Sequence, residues 1–400
     1  MNVRKLLIFA IALVATVVMA AIRSERGLTA EQAPPPAPAQ TPGGAPAARG
    51  VLPPVRASGQ PLQNAPTINY RVQTDFLKVS PDMNFGETLG VAINSKGDIV
   101  VLNHPGSAAT GPLFGNATTQ LWMFDKTGKF VKEIGKGVYG LGYAHSIRFD
   151  RYDNLWVADK GTDSVMKFNP QGYVVMNLGR RPEGYDSHEH VEWDYGRGNP
   201  PHVEGTFRGV TDVAFDMDDN IYVSDGYTNS RVAKFDKNGN WVKGWGTRGR
   251  DNGQFLLPHN LQVDRQGNVY VADRNNRRIQ VFDKDGTYLR TLYLNVPYDK
   301  THHPTLANLP ANPANRPDET QPWALCITTN TPTQYLYAVD DEPGRLYKMT
   351  LDGKILGVFG ISGRQPGQFN WPHGIACPSE NEIFIANMNN WRVERLTLNQ

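Results

Sequence analysis

GQFLLPHNLQVDRQGNVYVADRNNRRIQVFD, residues Gly253 to Asp283, decides the fold. Two short runs, LQV and VYVAD, flank the turn Asp-Arg-Gln-Gly-Asn, and a third, RIQVF, follows the polar stretch Arg274 to Arg277. Continuing through IQVFDKDGTYLRTLYL (Ile279 to Leu294), another Asp- and Gly-containing turn leads to a fourth run. Apolar residues alternating at period two, broken by Gly, Asn and Asp about every ten residues, predict antiparallel hairpins.

The unit recurs in both directions. IRFDRYDNLWVAD (Ile147 to Asp159) and VAFDMDDNIYVSD (Val213 to Asp225) repeat its first half. VMKFNPQGYVVMNLG (Val165 to Gly179) and VAKFDKNGNWVKGWG (Val232 to Gly246) repeat its second. Four strands per unit, at a period of about 40–50 residues, make a propeller blade. The second strands end at Asn103, Asp159, Asp225, Asp273, Asp340 and Asn387, which predicts an all-β, six-bladed β-propeller. The last blade stops at Gln400 one strand short, while INYRVQTDFLKVS (Ile68 to Ser80) is a strand to spare. The expectation is that it completes that blade and closes the ring. Two long intervals mark insertions, Arg180 to Glu204 and about Pro297 to Gln321; both follow fourth strands and are expected on one face.

Around the propeller (67–400) the composition changes. Arg4 and Lys5 precede the apolar run LLIFAIALVATVVMAA, so Met1 to Ala21 reads as an export signal. Counted to Ile22, the run also approaches the lower limit of a membrane anchor. Either reading, for a segment 1–22, predicts an exported protein, periplasmic or secreted, with an uncleaved membrane tether as the alternative. Residues 23–66 are rich in Pro, Ala and Gly and lack the apolar side chains that compensate for ordering, so a disordered tether is expected. A net charge of +2 gives no reason to expect nucleic-acid binding. Cys326 and Cys377 lie in apolar runs without metal or redox spacing; they read as buried thiols, with a disulfide left open for an oxidising compartment.

Three histidines stand at one position of the repeat. From His145 to His259 and from His259 to His373 the interval is 114 residues. Each enters the innermost strand of its blade, in blades two, four and six. Blades one, three and five carry Leu89, Thr211 and Trp323 there. A single such histidine reads as an ordinary strand entry. Three in alternate blades of a ring converge on the axis, and three neutral imidazoles are a catalytic zinc shell with a fourth position open. Lys160, Tyr227 and Arg274, each just after a second strand, belong to the same rim, and His104 is expected near the channel. His188, His190 and His202, clustered in the first insertion, and His302 and His303 read as loop residues.

The repeat resembles the NHL family over about Asn84 to Gln400. Within that group, AHSIRFD, LPHNLQVD and WPHGIAC are similar to the ligand segments of peptidyl-α-hydroxyglycine α-amidating lyase, a six-bladed propeller that splits its substrate into an amide and glyoxylate. The resemblance implies zinc on His145, His259 and His373. VSDGYTNSRV carries the family's catalytic tyrosine to Tyr227, and VADRNNRRIQVF carries an active-site arginine to Arg274. Four features depart from it. A second family arginine has no counterpart at Asn103 to Pro105, and Trp371 replaces a methionine. Gly374 replaces an aspartate of a structural calcium site, which argues against calcium, and Thr228 follows Tyr227 where a cysteine is expected. The implied function is a zinc-dependent carbon–nitrogen lyase, monomeric, with a small-molecule or peptide substrate in the central channel. The alternative is a non-enzymatic exported propeller that binds protein, peptide or glycan through its rim.

Overall fold

A computed structural model describes residues 59–105, 119–138, 140–179, 204–301, 312–329, 331–341 and 343–399. The predicted signal segment, most of the tether and the insertion histidines lie outside these residues. Among the described residues there is no α-helix, and no helix is long and apolar enough to cross a membrane.

Strand β1 (Tyr70–Gln73) precedes blade one, formed by β2 (Glu87–Ile93), β3 (Ile99–His104), β4 (Gln120–Phe124) and β5 (Phe130–Ile134). Blade two holds β6 (Ala144–Phe149), β7 (Leu155–Asp159), β8 (Ser164–Phe168) and β9 (Val174–Gly179). Blade three holds β10 (Val210–Phe215), β11 (Ile221–Asp225), β12 (Arg231–Phe235) and β13 (Trp241–Trp245). After a short pair, β14 (Thr247–Arg248) with β15 (Gln254–Phe255), comes blade four: β16 (Pro258–Val263), β17 (Val269–Asp273), β18 (Arg278–Phe282) and β19 (Tyr288–Leu292). Blade five is β20 (Pro322–Ile327), β21 (Leu336–Asp340), β22 (Leu346–Met349) and β23 (Ile355–Phe359). A second short pair, β24 (Ile361–Ser362) with β25 (Gln368–Phe369), leads to β26 (Pro372–Ser379), β27 (Glu382–Asn387) and β28 (Arg392–Leu398).

Each blade is a four-stranded antiparallel meander, and the sixth is completed by β1, the first strand among the described residues. Sheet order β1-β28-β27-β26, with Tyr70 opposite Leu398 and Gln73 opposite Arg395, closes the ring as expected. Pairing the ends of the chain leaves no open gap between first and last blades, which removes the edge that an open array would expose. The chain enters along blade five. The Ile68 N–H donates to the Val358 carbonyl, that of Val358 to the Pro66 carbonyl, and that of Gln63 to the Asn295 carbonyl. The described residues thus begin before the predicted end of the tether at 66, because the outer edge of blade five and Asn295, just after blade four, offer backbone partners that composition does not reveal.

The repeated turn explains itself. Asp150, Asp216 and Asp264 each accept from the backbone N–H groups two and four residues on, and Asn154, Asn220 and Asn268 return a side-chain bond. The residue between must take a left-handed conformation; Gly267 does so at φ 84°, and Asp153 and Asp219 at 61° and 64°. Between neighbouring blades the apolar faces interlock, giving six buried clusters, one per interface.

Cys326 on β20 and Cys377 on β26 form a disulfide, with Cα atoms 6.0 Å apart. This corrects the reading of two buried thiols. The innermost strands of the consecutive blades five and six lie side by side, but which of their residues face each other is not disclosed by spacing along the chain. Closing a loop of this length typically contributes about 2–4 kcal/mol.

Candidate metal centre

In every blade the innermost strand breaks register at the same point of the repeat, and that of blade six does so again between Ala376 and Ser379. The skipped positions are Leu89, His145, Thr211, His259, Trp323 and His373. A β-bulge kinks its strand and re-aims the extra side chain, so the repeat builds six inward-turned positions. Histidine fills alternate ones. Their ligand-capable nitrogens lie within 4.8 Å of one another, and all three rings are buried. Ring centroids stand 4.6, 4.7 and 5.0 Å apart at interplanar angles of 71–73°.

The other three bulges orient these rings. His145 Nδ1 faces the Thr211 carbonyl at 2.7 Å, His259 Nδ1 that of Trp323 at 2.7 Å, and His373 Nδ1 that of Leu89 at 2.9 Å. A carbonyl only accepts, so each Nδ1 carries the proton and each Nε2 presents a lone pair. His259 Nε2 is buried and has no hydrogen-bond partner. A buried acceptor left unpaired is costly, and here it points among two like nitrogens. That donor set fits a zinc ion.

Burial, reinforced by the neighbouring imidazoles and by Lys160, holds His145 well below the usual histidine range; burial, His373 and Arg274 do the same for His259. His373 is lowered to about 3, chiefly by burial. All three are therefore neutral at pH 7. For an exposed imidazole site, proton competition weakens metal binding below about pH 6.5. Here the Nε2 atoms carry no proton to displace, so in Lys160→Met, which removes the neighbouring ammonium that is itself lowered to about 7, zinc affinity, measured by competition with a chromophoric chelator corrected for its own titration, is expected to stay level from pH 7.5 to 6.0. A tenfold or greater loss over that interval would contradict it.

The loops after the second strands form the rim. Lys160, Tyr227, Arg274 and Met388 each donate a backbone N–H to the residue two before the bulge, namely Tyr143, Gly209, Leu257 and Trp371. This repeated tie brings Tyr227 over the imidazoles, its hydroxyl 3.0 Å from His145 Nε2. Gly209, at φ 79°, makes the approach feasible, since a Cβ there would stand 2.6 Å from that of Tyr227. The Arg274 guanidinium stacks on the Trp323 ring at 3.6 Å, and Trp323 packs edge-on against His259 at 5.1 Å. Trp371 in turn lies 5.2 Å from Trp323, so the residue replacing the family methionine extends an aromatic wall.

Lys160 is a larger part of the site than the sequence suggested. Its ammonium sits 3.8 Å from the Tyr143 ring centre and 4.8 Å from that of Tyr227. Burial and Arg274 lower it to about 7, against the pull of Asp159 and Glu87. His104 stays outside the cluster, edge-on to Tyr143 at 4.6 Å. The rim holds its shape because the six residues ending the second strands are fully buried, and five of them accept a backbone N–H from the segment leading into the innermost strand. Asp340 instead accepts from Gly344 and Arg345.

A family model described as a six-bladed beta-propeller matches residues 207–306. A probable peptidyl-alpha-hydroxyglycine alpha-amidating lyase of Caenorhabditis elegans is 28% identical over 218 residues, covering 51% of this chain and 57% of that protein. Peptidyl-alpha-hydroxyglycine alpha-amidating lyase 1 of Drosophila melanogaster is 24% identical over 299 residues, 71% of this chain and 49% of that protein. NHL repeat-containing protein 3 of Homo sapiens is 28% identical over 227 residues, 54% and 58% of the two chains. This chain spans about half the length of these relatives. Virginiamycin B lyase from Staphylococcus aureus superposes with a TM-score of 0.51 at 11% identity, covering 83% of this chain and all of that one, a likeness of fold alone. The chain is a six-bladed propeller similar, at modest identity, to proteins named as amidating lyases and NHL-repeat proteins.

Proposed function

We propose that this chain is a zinc-dependent lyase that cleaves the C–N bond of a peptidyl-α-hydroxyglycine-like substrate, releasing an amide and glyoxylate. The observation that carries the reading is the meeting of three neutral, backbone-oriented imidazoles with the hydroxyl of Tyr227. The relatives named as lyases support it.

His145, His259 and His373 would hold the ion. Zinc in such a shell supplies Lewis acidity, stabilising negative charge on a substrate oxygen. Tyr227, as the phenolate, would accept the proton of the substrate hydroxyl and, as the phenol so formed, can return it to the leaving nitrogen. As that O–H bond breaks, the C–O bond becomes the carbonyl of glyoxylate, the C–N bond breaks, and the departing amide nitrogen takes up a proton. Arg274, held flat by Trp323, presents a forked cation suited to the substrate carboxylate. Substrate enters from the mouth bearing Tyr227 and Arg274. A disulfide belongs to an oxidising compartment, which supports the export read from Met1 to Ala21.

The test is direct. Zinc-loaded protein incubated with an α-hydroxyglycine-extended peptide is expected to release glyoxylate and the peptide amide in equal amounts. Absence of glyoxylate from fully loaded protein would sink the lyase reading and favour a binding propeller.

A further inference from the structure

One layer below the imidazoles, the channel is crossed by a second charged group. Arg148 on β6 extends its guanidinium to Asp212 on β10, with Nη2 2.6 Å from Oδ2 and Nε 3.2 Å from both carboxylate oxygens. The same Nη2 reaches Asn260 Oδ1 on β16 at 3.1 Å and the Leu325 carbonyl on β20 at 3.4 Å. Asp212 also accepts the Leu261 N–H, and Asn260 Oδ1 the Leu325 N–H. One cation thus joins the innermost strands of four blades. Asp212 is fully buried and the arginine side chain 16% exposed.

Asp212 and Asn260 each directly follow a bulge residue, Thr211 or His259, as Gly374 follows His373. They therefore belong to the layer where the family resemblance would put calcium. At position 374 there is neither a carboxylate nor room for one, because a Cβ there would lie 2.7 Å from the Leu89 carbonyl oxygen. The remaining oxygens, one carboxylate, one amide and one carbonyl, are a hard-cation donor set, and the guanidinium already lies on all three. Calcium does not fit this layer as built.

We propose that Arg148 is a structural cation of the channel: its guanidinium fills a divalent-cation position and makes the propeller independent of calcium. It also divides the channel. From the opposite face a funnel of about 790 Å³ reaches Arg148 and Gln262 but none of the three histidines. The imidazole chamber is therefore blind at its base, and ligands enter and leave by the rim. The proposal stands on contacts separate from the lyase chemistry and survives its failure.

The experiment is a thermal melt with and without millimolar calcium chloride, on zinc-loaded wild type, R148K and R148S, together with metal analysis after dialysis against calcium. Wild type and R148K are expected to bind no calcium and to melt at an unchanged temperature. R148S, which bares the three oxygens, is expected to melt lower, to take up one calcium ion and to regain several degrees on binding it. Should R148S fold only when calcium is present, the proposal is equally supported. Calcium bound and stabilising in wild type overturns it, and so does an R148S protein that calcium neither binds nor stabilises. If R148S folds under neither condition, R148S/D212N, which removes the unpaired carboxylate, decides: recovery of a calcium-insensitive fold supports the cation role, and failure to recover overturns it.

Discussion

Replacing His259 by alanine is expected to abolish metal binding, taking the zinc content from one ion per chain to none. Catalysis should fall with it. A Lewis-acidic ion supplies several kcal/mol of transition-state stabilisation, and each 1.4 kcal/mol is a factor of ten, so turnover is expected to drop by about three orders of magnitude or more. The same loss is expected for His145→Ala and His373→Ala, because two imidazoles do not complete the shell. The fold should survive. The substitution leaves the Trp323 carbonyl without its Nδ1–H donor, at a cost of about 1–3 kcal/mol. Metal analysis, glyoxylate release and a thermal melt on each variant separate the effects. Full zinc retention in any of the three would remove that histidine from the site.

Tyr227→Phe is expected to separate chemistry from metal binding. The variant keeps the ring, its packing beside Gly209 and its cation–π contact with Lys160, and loses only the hydroxyl 3.0 Å from His145 Nε2. A positioned general base is worth about 10²–10⁴ in rate, so kcat should fall by that factor while zinc content stays at one per chain. An unchanged kcat in zinc-loaded Tyr227→Phe would make the tyrosine a packing residue of the rim. A loss of zinc would make the hydroxyl part of the metal shell. Comparing this variant with His259→Ala therefore tests the metal and the reaction apart.

Much of this architecture could be read along the chain because a propeller repeats it. The Asp-to-Asn turn and the missing last strand are local signals, and both appear as expected; the second strands, by contrast, are buried on both faces and do not alternate. The equal spacing of His145, His259 and His373 predicts convergence, since equivalent positions in alternate blades of a closed ring face one axis. Tyr227 and Arg274 could be placed on the rim by their position just after a second strand, and only their surrounding motifs suggested roles for them. Lys160 could be placed on the rim, but its contact with Tyr143 and Tyr227 requires the geometry of two neighbouring blades.

What stayed hidden involves partners from different blades. The Cys326–Cys377 bond, the Arg148–Asp212–Asn260 network and the docking of Pro61 to Pro66 against Asn295 and the outer strand of blade five each join residues far apart in the chain. No period marks them. The sequence by itself determined the six-part ring, its closing strand and the three converging histidine positions, because each follows from a pattern repeated within a blade. Only the tertiary structure decided the bulges that turn those imidazoles inward, the carbonyls that set their tautomers and the guanidinium beneath them. The physical reason is that orientation and pairing depend on which strands become neighbours around the axis, and that is settled only when the ring closes.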